Sequence, residues 1–205
     1  MRNLHCTSAK RAGVAHLHCA TSFLALALLA PVAGAEVSAT LAYTDYLIQG
    51  DQRGSLARLL EDTSPIHADG QTYHAFTTWQ VSWRYSWISE ASGACRIAQV
   101  ATAVHSTIKL PRLEGGSPSL RERFERYLGA LHEHELGHHQ IGHQAALEVD
   151  RQLQGMPPMA DCQRLNTAAN KLAQRTVNQF KEEERTYDLI TVHGRLQGAR
   201  LDYDY

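Results

Sequence analysis

Residues 119–154, SLRERFERYLGALHEHELGHHQIGHQAALEVDRQLQ, decide how the chain is read. Tyr127, Leu131, Ile141 and Ala145 recur at helical spacing and predict one long helix with an apolar face. Ser117-Pro118 and the capping box Ser119-x-x-Glu122 mark its start, and Pro157-Pro158 breaks it. Mid-helix stands His132-Glu133-His134-Glu135-Leu136-Gly137-His138-His139, with a single H-E-x-x-H register at His134, Glu135 and His138. Four residues of helix make about 400° of turn and about 6 Å of rise, which sets both imidazoles on one face. That is what a zinc ion asks of two nitrogen ligands. Glu135 falls about 100° away, beside the ion but not ligating it, placed to take a proton from a water whose pKa the metal lowers to about 7. The apolar neighbours turn this face inward. Gly137 costs about 1 kcal/mol relative to alanine inside a helix, so some close approach should require it. His132, His139 and His143 fall on the opposite side and read as a solvated polar face.

Working outward, 39–48 reads as a short strand, 54–61 as a short amphipathic helix and 63–70 as polar loop. Trp79, Val81, Trp83, Tyr85 and Trp87 alternate with polar residues, the period of a strand with one covered face. A second strand over 95–110 carries Val100, Val104, Ile108 and Leu110 on one face and ends at Pro111. The short gap between the two strands predicts a hairpin. Beyond the long helix, 161–185 predicts a second one, with Leu165, Ala169, Leu172, Val177 and Phe180 inward and a charged, solvated end at 181–185. Strands first and long helices after imply an α+β domain, an antiparallel sheet beside the H-E-x-x-H helix.

Arg2, Lys10 and Arg11, the apolar run 23–30 and Ala33-Gly34-Ala35 form a secretion signal, residues 1–35, cut after Ala35. The mature chain is then 36–205, a single domain that is secreted or periplasmic. Cleavage leaves two cysteines, Cys95 and Cys162, which an oxidising compartment would join. The full chain of 205 residues has a formal charge of −1, with no basic excess for nucleic acid and no apolar run long enough to span a membrane. Its 12 histidines, five of them between His132 and His143, ask for a metal.

Two histidines leave a catalytic zinc one protein ligand short. Glu182, Glu183 or Glu184 could supply a carboxylate, although their charged neighbours suit a solvated helix end better. His193 is preferred, in a strand or loop after the second helix where Gly194 permits close backbone approach. Asp188 could orient a ligand histidine, and Tyr187 could donate to a developing oxyanion.

Trp79-x-Val81-x-Trp83-x-Tyr85, Cys95-Arg96-Ile97, Leu110-Pro111-Arg112, His134-Glu135-x-Gly137-His138, Cys162, Tyr187-Asp188-x-x-Thr191-x-His193-Gly194 and Gln197-Gly198-Ala199 together give the chain a recognisable look. It resembles a bacterial family of predicted secreted zinc-dependent proteases, otherwise catalogued as a domain of unknown function. The resemblance covers most of the mature chain, implies a peptidase and points to the same His193. The metzincin pattern does not fit, since Gly142 and His143 stand four and five residues past His138. The expectation is an exported zinc metallopeptidase of zincin-like architecture acting on peptides or proteins. It holds one Zn2+ per chain on His134, His138 and His193, with Glu135 as general base. The alternatives are a metal-binding envelope protein that hydrolyses nothing, and a zinc hydrolase of cell-wall peptides.

Overall fold

The structure, a computed structural model, describes residues 37–51, 54–68 and 70–201. The expected secretion signal lies outside them. Five strands and three helices follow in order: β1 (Ser38–Gln49), α1 (Leu56–Thr63), β2 (Ile66–Ala68), β3 (Gln71–Tyr73), β4 (Phe76–Ser89), β5 (Cys95–Glu114), α2 (Pro118–Gln154) and α3 (Cys162–Thr191). The class is α+β. No helix among the described residues is long and apolar enough to cross a membrane.

The main sheet has the order β1-β5-β4. β4 and β5 form the expected antiparallel hairpin, with Ala98 left unpaired on β5 opposite Ser86 and Trp87. β1 corrects the expectation of an antiparallel sheet. It runs parallel to β5, from Ser38 opposite Ala103 to Gln49 opposite Glu114, so the sheet is mixed. Period-two alternation reports which face is covered, not the direction of the neighbouring strand, and the sequence carries no signal for it. Pro111 does not end β5 either, because the strand continues to Glu114. Pairing with β4 stops at Lys109, so Pro111 has only β1 beside it and its missing N–H breaks no ladder on the other side. The expected loop at 63–70 contains β2, which pairs with β3 as a separate small hairpin.

Ser117 caps α2, accepting from the Leu120 N–H, with Pro118 in the first turn where its missing donor costs nothing. Asp161 caps α3 in the same way through Arg164. α3 runs six residues past the expected stop at Arg185, so Tyr187 and Asp188 ride on a helix and not on a strand or loop. Cys95 and Cys162 are joined, tying the start of β5 to the start of α3, and Cys95 also exchanges both backbone hydrogen bonds with Met159.

α2 lies against β4 and β5, and α3 packs along α2. The aromatic stripe of β4 serves both helices. The rings of Trp79, Trp83 and Tyr85 join the core, Trp87 at the far end of the stripe is exposed, and Trp83 Nε1 and Tyr85 Oη donate to Asn170 and Asn166 of α3. The apolar core comes in two pieces. One gathers Ile48, Leu56, Leu59, Leu60, Leu120, Phe124, Tyr127 and Leu131, and the other Trp79, Val81, Val100, Val104, Ala145, Ala146, Val149 and Leu153. On α2 the pieces part between Leu131 and Ala145. The H-E-x-x-H stretch occupies that interval.

Candidate metal centre

His134, Glu135 and His138 are 3%, 4% and 7% exposed, as closed off as the core residue Leu131 one turn earlier. Buried polar groups at this depth need partners. His134 and His138 sit one turn apart with their Nε2 atoms 3.3 Å from each other. Asp188 of α3 faces them, its Oδ1 3.2 Å from His134 Nε2 and 3.0 Å from His138 Nε2. His134, His138 and Asp188 form a group that could hold a metal ion. Zinc bonds of about 2.0–2.1 Å at tetrahedral angles separate neighbouring ligand atoms by about 3.3 Å, close to all three spacings here.

Further residues hold this trio in place. Gln197 Oε1 lies 2.9 Å from His134 Nδ1, an acceptor for a proton there that would leave Nε2 to ligate when a metal replaces the Asp188 hydrogen bond. His138 Nδ1 is buried and aligned with no acceptor, although Glu184 Oε1 stands 3.4 Å away. Trp79 Nε1 donates to that same Glu184 oxygen at 2.8 Å. Gly194 lies so close to His134 that a Cβ there would stand 2.9 Å from the ring Cγ.

The charges follow from this packing. Burial alone would raise Asp188, but hydrogen bonds from His134 and His138 hold its carboxyl well below the usual range. Burial would lower His138, yet Asp188 and Glu184 outweigh it and push the imidazole up to about 9. Glu135 is raised by burial, against the opposing pull of Thr77 and the two histidines. Thr77 Oγ1 donates to Glu135 Oε2 at 2.6 Å.

His193 comes close without joining the trio. It follows the end of α3 in a left-handed conformation, half exposed, with Nδ1 3.5 Å from Asp188 Oδ1 and its ring edge-on to Tyr73. Tyr187 stacks on the His134 ring at 5.0 Å and donates to the His134 carbonyl. Its hydroxyl lies in a hollow with Glu133, Gly137 and Gln197, apart from the cavity over the histidines. Gly137 thus has its close approach, because a side chain there would run into the Tyr187 ring. Of the three glutamates, Glu184 turns inward and Glu182 and Glu183 face out.

A cavity of about 760 Å3 opens over the trio, lined by Tyr73–Trp79 on one side and by Lys181, Glu184, Asp188 and Leu189 on the other, with Glu135 in its wall. Of the other histidines of α2, His132 and His139 correct the expectation of a solvated face. His139 Nδ1 lies 2.9 Å from the buried Ser106 hydroxyl of β5, and His132 Nε2 lies 3.0 Å from Tyr43 Oη of β1. α2 is wide enough for the sheet to cover one flank while α3 covers another.

A family model described as "Bacterial protein of unknown function (DUF922)" matches residues 43–194. The chain belongs to this family. No curated protein and no solved structure matches it. The family match encloses the whole trio, Glu135, Tyr187 and His193, and stops just short of Gln197.

Thr77, Glu184 and Gln197 were the contributors that sequence reasoning did not place. Trp79 gave a signal for the first of these, since Thr77 shares its alternating face one step earlier on β4. Glu184, a candidate ligand by sequence, stands with Oε1 3.4 Å from His138 Nδ1, on the ring's far side from Asp188. Gln197 had only its place in the Gln197-Gly198-Ala199 motif.

Proposed function

We propose that the chain is an exported zinc-dependent peptidase of zincin-like architecture. One observation carries the reading: three metal-ligand atoms from two helices converge in a buried site, with an additional buried carboxylate beside them, at the floor of an open cavity. His134, His138 and Asp188 hold the ion, and His193 is the remaining candidate for the ligand set. Zinc bound there supplies Lewis acidity, acidifying a water molecule and polarising a carbonyl. Glu135 supplies the base. Its Oε2 is occupied by Thr77, and burial raises its proton affinity, so the carboxylate can accept a proton and later return it to a leaving amine. Tyr187 positions His134 through its ring, since its hydroxyl is already spent on the His134 carbonyl and Gln197.

The free edge of β4 and the exposed side chains of Phe76 and Leu189 line the cavity mouth, which suits an extended chain with apolar side groups. Metal analysis of the purified protein should find one zinc per chain in both the wild type and Glu135→Gln. Only the wild type should cleave a peptide library. Cleavage that persists in Glu135→Gln removes the general base, and a chain that retains no metal after purification in zinc removes the whole reading.

A further inference from the structure

A second hollow, of about 880 Å3, adjoins the first, and Gln71, Tyr73, His74 and His193 wall both. Its charged side chains are Arg58, Arg195 and Arg200 against Glu61 and Asp62, and burial holds the His74 imidazole below its usual range, so the hollow has a net excess of one positive charge. Arg58 pairs with Asp62 at 3.5 Å, and Glu61 stands 3.5 Å from His74 Nε2. Arg195 and Arg200 are exposed, line the hollow and have no carboxylate partner among the described residues. The backbone that carries them is anchored. Ala199 is buried in the first core cluster and its N–H donates to the Gly194 carbonyl at 3.0 Å. Gly194 in turn packs against the His134 ring. The backbone that carries two guanidinium groups without a carboxylate partner among the described residues is therefore fixed relative to His134, a candidate metal ligand. A guanidinium keeps its charge at any working pH and presents its donors as a fork that matches a carboxylate.

We propose that this hollow is a subsite for a substrate carboxylate, bound by Arg195 and Arg200 while the neighbouring peptide segment lies over His134 and His138. The placement of that segment rests on the peptidase reading, whereas carboxylate binding does not. An aspartate or glutamate side chain and a free C-terminus present the same chemistry, so both sources are tested. Two exposed arginine–carboxylate pairs should tighten binding about fivefold together.

The first measurement needs no catalysis. Glutarate titrated into the zinc-loaded full chain should shift the side-chain NMR signals of Arg195 and Arg200 saturably and leave Arg151, which is paired with Glu148, unmoved. The second follows the anisotropy of labelled peptides on zinc-loaded Glu135→Gln. An acidic peptide is compared with its amide twin, and a free C-terminus with its amidated twin. One carboxylate form should bind about fivefold tighter. That preference should vanish in the same chain carrying Arg195→Gln and Arg200→Gln, with zinc content unchanged. Equal binding of all twins, a preference that survives the double substitution, or glutarate shifts that do not saturate would each overturn the inference. Carboxylate-dependent binding of peptides that the wild type never cleaves supports it and removes the peptidase reading.

Discussion

Gly137→Ala offers a test of the site that requires neither substrate nor activity. In an ordinary helix interior the change stabilises by about 1 kcal/mol, because glycine has more backbone freedom to lose. Here the new Cβ would stand 2.9 Å from Cε1 of Tyr187 and closer still to its Cζ and hydroxyl. A methyl group needs about 3.5–4.0 Å from a carbon, so the ring has to withdraw by on the order of 1 Å. Withdrawal pulls the ring from its stack on His134 and the hydroxyl from the His134 carbonyl and Gln197. Overpacking costs about 1–3 kcal/mol and each strained hydrogen bond about 1 kcal/mol, which together exceed the helical gain. The expected net effect is destabilisation by about 2–4 kcal/mol, measured by urea unfolding of the metal-free chain. Asp188 follows Tyr187 directly, so zinc affinity measured by chelator competition should fall as well. Combining Gly137→Ala with Tyr187→Ala frees the space, and the two effects should then be strongly non-additive. A Gly137→Ala chain that is more stable than wild type, with unchanged zinc affinity, would refute the packing argument.

Four further expectations concern the metal and the scaffold. Asp188→Ala should weaken zinc binding more than about a hundredfold and His193→Ala about tenfold or less, and a reversed order in competition titrations would make His193 the third ligand. His138, at about 9 in the metal-free chain, carries a proton at neutral pH that a metal must displace. Calorimetry in buffers of different ionisation enthalpy should therefore find about one proton released from it near pH 7 and none above about pH 10, and an absence of release at pH 7 contradicts the raised imidazole. The same groups give the metal-free fold a stability window. The contribution of Asp188 is present above about pH 4 and lost as pH falls toward its depressed pKa. That of His138 is complete below about pH 6.5 and lost as pH rises through about 9, so chelated protein should melt highest between these limits. Replacing Cys95 and Cys162 together by alanine reopens a loop with a sequence separation of 67 and should cost about 4 kcal/mol in denaturant unfolding.

The parts of this molecule that could be read from its sequence are those whose signal is local. His134, Glu135 and His138 declared themselves by spacing on a helix with clear start and stop residues, and the β4–β5 hairpin by its alternation. Asp188 was legible as a site residue but not as a member of the trio, because the end of α3 was misread. The run 181–185 looked like a solvated terminus. Its charges instead pair within the helix, Lys181 with Glu184 and Arg185 with Glu182, which supports continuation. Leu189 and Ile190 beyond it are exposed, so no apolar period marked the extra turns. The direction of β1 depends on how the chain returns from α1 and the small hairpin, which no residue of β1 encodes.

The attachment of α3 changes character along its length. Leu165, Ala169, Ala173 and Thr176 are buried, and Val177 and Phe180 still lean on the second core cluster. From Lys181 to Asp188 the fastening is mostly polar: an ammonium over the Trp79 ring, Glu184 at Trp79 and His138, and Asp188 between two imidazoles, with the Tyr187 ring stacked on His134 beside them. One end of the rod is bolted by a disulfide and by grease, and the other is latched by the site itself. Segments held by few apolar contacts open at the least cost. An ion shared between α2 and α3 would therefore close the latch as it binds, so that part of its binding energy goes into fixing the wall of the cavity in which it sits. Metal affinity and the resistance of the last turns of α3 to hydrogen exchange should then rise and fall together.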